Sequence, residues 1–294
     1  MSQLPAPVLD HVVVNVKGEL DHSVDIYRRL GFALTERGHH SLGTSNHLAI
    51  FGENYLELLG YEAGKSTARP DVTQAPLGLT GLVFKTHDSH GLFAELQARG
   101  VGVETPAEFF RPVQLPDGTT QDARFRTVRL ASELVRNGRT FFCHHFTPEH
   151  VWRDEWRDHP NGVTDIAGFV ISSPNPAATA ALYDRVFGPG VLAATGAQGY
   201  SFTAGRARVH FVTPAEAGQR FGKVETTDDG SERNVALILR TRSLAQTQAT
   251  LRENGVPWTT LEEGSVLVAA ADGFHVALQF VEGDDLTNTS SVVF

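Results

Sequence analysis

Residues 39–60 read HHSLGTSNHLAIFGENYLELLG and place His39, His40, His47, Glu53 and Glu57 within one short stretch. His11 stands near the start of the chain in LDHVVVNV, and His144 and His145 stand together in RTFFCHHF. Imidazole nitrogen and carboxylate oxygen together suit a divalent Fe, Mn, Ni, Co or Zn ion. Without a metal the same groups suit general acid–base chemistry, in which a carboxylate in an apolar cavity would have a raised pKa. The choice depends on which of them meet, and the elements that carry them decide that.

Other chemistries lack their signatures. Cys143 is the only cysteine, which excludes an internal disulfide framework and a cysteine-cluster metal site. Next to Phe142, it reads as a small core residue. No P-loop and no G-x-G-x-x-G after the first strand point to a nucleotide cofactor, and G-x-S-x-G and H-E-x-x-H are absent. The formal charge is −9 with no Lys/Arg cluster, so a nucleic-acid partner is not expected. No run of 18 apolar residues suggests a membrane span. The opening MSQLPAPVLDHVVV lacks the basic flank and apolar core of a signal peptide, so a cytoplasmic location is expected.

With 41% hydrophobic and 20% charged residues over 294 positions, the chain suits two globular domains of roughly 140 residues each. Its most informative feature is a repeat. Apolar strands open at LDHVVVNV (9–16), TGLVFKT (80–86), DIAGFVIS (165–172) and NVALILRT (234–241). Each runs into a short amphipathic helix, seen in LDHSVDIYRRLGF, SHGLFAELQARGV, NPAATAALYDRVFGP and SLAQTQATLRENGV. Val24, Ile26, Tyr27 and Leu30 form one apolar stripe before Gly31, and Leu92, Phe93 and Leu96 another before Gly100. Ser89, Asn175 and Ser243 are the expected caps. Two or three further strands follow each helix, with turns such as GEN at 52–54. The unit is β-α-β-β-β, four times, and the fold class is α+β. Two units make a domain, giving 1–155 and 160–294 joined through the polar EWRDHPNGVTD.

These four units, with LDHVVVNV, GTSNHLAIF, YLELLG and HHFTPEHVWRDEWRDHPNG, resemble the vicinal oxygen chelate superfamily and most of all its glyoxalase-like branch. That superfamily includes glyoxalase I, extradiol dioxygenases, methylmalonyl-CoA epimerase and bleomycin and fosfomycin resistance proteins. The resemblance implies paired modules whose mixed sheets curve around a cavity, with a divalent metal on the inner wall in many members.

Side chains alternate faces along a strand. Val12, Val14 and Val16 share the face that packs under the helix, which turns His11, Val13 and Asn15 inward. In YLELLG, Leu56 and Leu58 go to the helix side, and Tyr55, Glu57 and Leu59 go inward. His11 and Glu57 thus face one cavity, and they match the superfamily's ligand positions on the first and last strands of a module. The corresponding first-strand position in the second module is Gly81, which cannot ligate. In RTFFCHHF, Phe141, Cys143 and His145 share a face, so His145 is the expected third ligand, with His144 as the alternative register.

Among the remaining polar residues, His40 is a candidate for substrate contact, as are Arg124 and Arg126, which share a face of ARFRTVRL and suit a carboxylate or phosphate. An exposed strand edge would explain both arginines equally. His47 reads as a packed histidine, and Trp152 and Trp156 as a cover for one end of the cavity. In the second half the position matching His11 is near Ala167. His210 and Gln279 fall at last-strand positions without a first-strand partner, so that half reads as a degenerate, structural copy.

The expected function is a metal-dependent glyoxalase-like lyase or isomerase, with Glu57 as general base should no metal bind. The alternatives are a non-catalytic binder of a drug or aromatic molecule, with walls from Phe51, Phe84, Phe125 and Phe141, or an extradiol-type dioxygenase. The expected partner is a small molecule. Four modules in one chain permit a monomer, and a homodimer is equally compatible.

Overall fold

The first strand, β1 (Leu9–Lys17), is buried along nearly its whole length because both its faces are covered. Val12, Val14 and Val16 pack into one core, and Val13 into another on the opposite face. This computed structural model describes residues 5–283 except 66, 116 and 228.

The first module continues with α1 (Leu20–Arg29), β2 (Gly38–His39), β3 (Ser45–Ile50) and β4 (Tyr55–Gly60). A four-residue helix, α2 (Pro70–Thr73), leads to the second module of β5 (Gly78–Lys85), α3 (Ser89–Ala98), β6 (Ala107–Gln114), β7 (Thr120–Arg129) and β8 (Arg139–His145). The third comprises β9 (Val163–Ser172), α4 (Pro176–Phe187), β10 (Ala193–Thr195), β11 (Gly199–Ala204) and β12 (Ala207–Val212). After α5 (Pro214–Phe221) the fourth runs through β13 (Arg233–Thr241), α6 (Leu244–Glu253), β14 (Thr259–Thr260), β15 (Val266–Val268) and β16 (Ala277–Glu282).

The strands form two eight-stranded sheets of identical topology, β2-β3-β4-β1-β5-β8-β7-β6 and β10-β11-β12-β9-β13-β16-β15-β14. In each, the opening strands of the two modules pair antiparallel at the centre, and each also pairs in parallel with the last strand of its own module. The βαβββ reading therefore holds, as two tandem glyoxalase-like halves. Asn175 and Ser243 cap α4 and α6 as expected. Asp88, not Ser89, caps α3 by accepting from the Gly91 amide, because the helix begins one residue earlier than its sequence suggests.

The helix-side core is common to both halves. Phe84 meets Phe187 edge-on at 4.9 Å, and the Tyr27 hydroxyl donates to the Gly273 carbonyl. The segment 155–165, polar in sequence, leaves Glu155, Asp158 and Pro160 exposed but buries His159, Asn161, Gly162 and Val163. His159 accepts from the Ala33 amide and donates to the Ile50 carbonyl, and Asn161 donates to the Leu30 carbonyl.

The halves differ on the opposite face of each sheet. In the second half, α5 carries a capping box from Thr213 and Glu216 and buries Ala217 and Phe221 against Val170 and Ile238. In the first half α2 has half as many residues and buries only Val72. Asn15 holds this segment close by donating to the carbonyls of Val72, Ala75 and Pro76. A cavity is left open beside it. Among the described residues no helix is long and apolar enough to cross a membrane.

Candidate active site

The cavity encloses about 520 Å³ of empty space, its open mouth included. Its floor is β1 and β4, where His11 pairs with Tyr55 and Val13 with Glu57. Alternation fails just before His11. Leu9 pairs with Phe84 and His11 with Val83, which leaves Asp10 as an extra residue in a β-bulge. A bulge redirects a side chain, and here the Asp10 carboxylate reaches both His11 Nδ1, at 2.5 Å, and His145 Nε2, at 3.1 Å.

Asp10 is completely buried. Burial opposes its ionised form, but His145 and His11 overcome that and hold its pKa well below the usual carboxylate range. An ionised carboxylate only accepts, so His11 donates from Nδ1. Its Nε2 faces Glu57 Oε2, 3.8 Å away. The ring is fixed further by stacking on Tyr55 at 4.3 Å.

Glu57 is buried too. Asn46 donates to its Oε1 at 2.6 Å, and His40 Nε2 lies 3.8 Å from the same oxygen. Burial alone would raise its pKa, the direction expected from sequence. The structure reverses that expectation: His40, His11, the Asn46 hydrogen bond and Arg139 together bring it below the ordinary value. His40 itself is pushed down to about 3, chiefly by burial. Its Nδ1 meets the Thr44 hydroxyl and its Nε2 faces the Asn46 amide.

His145 extends from β8 with Cys143 on the same face, as alternation predicts. It does not converge with His11 and Glu57 on one point. Among the described residues the group whose donor atoms lie within 4.8 Å of one another is Asp10, Cys143 and His145. This buried group could bind a metal. Asp10 Oδ2 and His145 Nδ1 in it have no hydrogen-bond partner, while burial pushes the Cys143 thiol well up. Trp152 covers His145 at 4.6 Å, and Lys85 sits over the Trp152 ring. His144 turns away to Ser89.

Arginines dominate the polar part of the upper wall. Asp71 is shared by Arg69, Arg129 and Arg139. Burial raises its pKa, but these three hold it far below the ordinary range. Arg111 comes from β6, where Phe109, Arg111 and Val113 turn inward between the exposed Glu108, Phe110 and Pro112. This residue was missed in the sequence, although the alternation of AEFFRPVQ contains the signal. It lies against Gly38, where a Cβ would come within 2.6 Å of Arg111 Nη1 and 2.5 Å of Asn46 Oδ1.

Arg124 and Arg126, expected at the substrate, lie on the other face of β7 from Ala123, Phe125 and Thr127, outside the cavity. Arg126 pairs with Glu108 and stacks on Phe146; on β7 only the inward parity faces the cavity. Phe125 and Phe141 line the cavity as expected, whereas Phe51 and Phe84 belong to the helix-side core. His47 is a packed histidine between the Thr35 carbonyl and Arg37. In the second half Gln279 is tied to Arg220, Glu263 and Ser265.

Tandem βαβββ modules with an inward-facing histidine and glutamate on the first and last strands of one module define a protein of the vicinal oxygen chelate superfamily. The chain belongs within it to the glyoxalase-like domain family, which matches residues 9–187. Solved structures share the fold. A hypothetical protein from Staphylococcus aureus is similar at 13% identity and a TM-score of 0.65, over 94% of this chain and 99% of that one. A xylose isomerase-like TIM barrel/4-hydroxyphenylpyruvate dioxygenase fusion protein is similar at 13% identity and a TM-score of 0.59, over 99% of this chain and 52% of that one. A mutant 4-hydroxymandelate synthase from Streptomyces coelicolor is similar at 12% identity and a TM-score of 0.56, over 99% and 98%. No curated protein sequence matches the chain.

Proposed function

We propose that the cavity is the active site of a divalent-metal-dependent glyoxalase-like lyase or isomerase acting on a small oxygen-chelating molecule. The observation that carries this reading is the pairing of His11 Nε2 with the Glu57 carboxylate at 3.8 Å on the cavity floor. Two ligands of one ion, each at about 2.1 Å, can stand that far apart. The donor set fits Fe, Mn, Ni, Co or Zn.

Asp10 fixes the tautomer and orientation of His11 from behind, the usual role of a carboxylate on a ligating imidazole. Asn46 holds Glu57 Oε1, so Oε2 is the oxygen free to ligate or to take a substrate proton. The low proton affinity of Glu57 keeps it ionised. His40, which lines the cavity, can touch substrate. A bound ion would supply Lewis acidity, stabilising negative charge on adjacent substrate oxygens. His145, linked to His11 through Asp10, supports this set.

Elemental analysis of untagged protein tests the reading, with His11→Ala and Glu57→Ala alongside. About one equivalent of a divalent transition metal, lost in both variants, is expected. No metal in the wild type, even after incubation with each ion, would sink it and leave the cavity to metal-free chemistry or binding.

A further inference from the structure

Arg111 is 3% exposed, yet its guanidinium has no ion pair and no hydrogen-bond acceptor among the described residues. Glu57 and Tyr55 are near enough to influence it, but no carboxylate stands within 4.0 Å. Burying an unpaired cation opposes folding, so nothing among the described residues explains its position. Arg139, in the same cavity, keeps its Nε buried without a partner. Four arginines line this space, against Glu57 on its floor, Asp71 shared by three of the arginines and Asp10 behind His11, which leaves surplus positive charge in a chain whose net charge is −9. The other walls are apolar: Leu48, Leu59, Phe109, Phe125 and Phe141.

We propose that Arg111, with Arg139, binds the oxyanion of the substrate, which is a small organic acid: a carboxylate or phosphate head on an apolar body. A guanidinium presents a planar fork of N–H donors that matches two oxygens of such a head at once. Gly38 makes room for the arginine stem. The identification of a substrate rests on the cavity being the active site proposed above; binding itself does not require the metal.

The test is calorimetric titration of chelator-treated full-length protein with benzoate, phenyl phosphate and neutral benzyl alcohol. Benzoate or phenyl phosphate should bind at least tenfold more tightly than benzyl alcohol, and the tighter of the two identifies the head group. Arg111→Met should lose at least tenfold for the acid and nothing for the alcohol, with Arg111→Lys between. The melting temperature of unliganded Arg111→Met should be no lower than that of wild type, since an unpaired buried charge is removed.

Equal binding of acid and alcohol, binding of neither acid, or undiminished acid binding by Arg111→Met would each overturn the proposal. So would a large fall in the melting temperature of Arg111→Met, which would mark the residue as structural. Metal content measured on the same preparations separates the two readings: loss of metal binding with acid binding retained would sink only the metal reading.

Discussion

Asp10 is the residue whose removal should be felt most widely, because one carboxylate oxygen serves two histidines. In Asp10→Asn the amide oxygen can still accept, but without charge, and a hydrogen bond to a charged group contributes about 1.5–3 kcal/mol, roughly twice a neutral one. The new amide nitrogen would occupy the place of Oδ2, which has no partner, so a buried donor is left unsatisfied. Together these give a loss of about 3 kcal/mol. For a chain of this length that is a fall in melting temperature of roughly 6–12 °C. His11 would also lose the group that fixes its tautomer, for which a 10- to 100-fold fall in metal affinity is typical. Scanning calorimetry of the metal-free protein and competitive titration of the ion read the two effects separately. A melting temperature within about 2 °C of wild type together with unchanged metal affinity would refute the idea that the bulge exists to aim Asp10.

Asp71→Asn should be less stable than wild type at pH 7. The folded-state pKa of Asp71 is depressed, so its stabilisation is present above the ordinary value of 3.8 and is lost as pH falls below it. Urea midpoints measured from pH 7 downward should converge for variant and wild type in that range. Gly81→Ala would bring a Cβ to 2.5 Å from Val13 Cβ and Cγ2, forcing β5 away from β1, with an expected loss of about 1–3 kcal/mol in urea denaturation. Phe221→Ala should cost about 3–5 kcal/mol by emptying the space that α5 fills, with metal content unchanged.

The repeat was legible because hydrophobic runs and helix stops are local, and four copies reinforce one another. Alternation placed His11, Tyr55, Glu57, Leu59, Cys143 and His145 correctly wherever the strands are regular. It could not place Asp10, because a bulge is decided by the pairing of β1 with β5, which neither strand shows alone. Arg124 and Arg126 drew attention as a pair, but the inward phase of β7 belongs to Phe125, and Arg111 on the neighbouring strand is the arginine that points in. The low proton affinity of Glu57 was not legible either. It depends on Asn46 and His40, which β2, β3 and the turn between them bring beside β4. The burial of His159 and Asn161 was hidden by their polar side chains, whose partners are backbone groups of Leu30, Ala33, Ile50 and Val163.

The most direct test of the central claim is an anomalous difference map from crystals grown with Mn²⁺. The account predicts one strong peak on the cavity floor, in contact with His11 Nε2 and the Glu57 carboxylate. A peak confined to the Asp10, Cys143 and His145 group, or no peak at a site the crystals leave open to solvent, would contradict it.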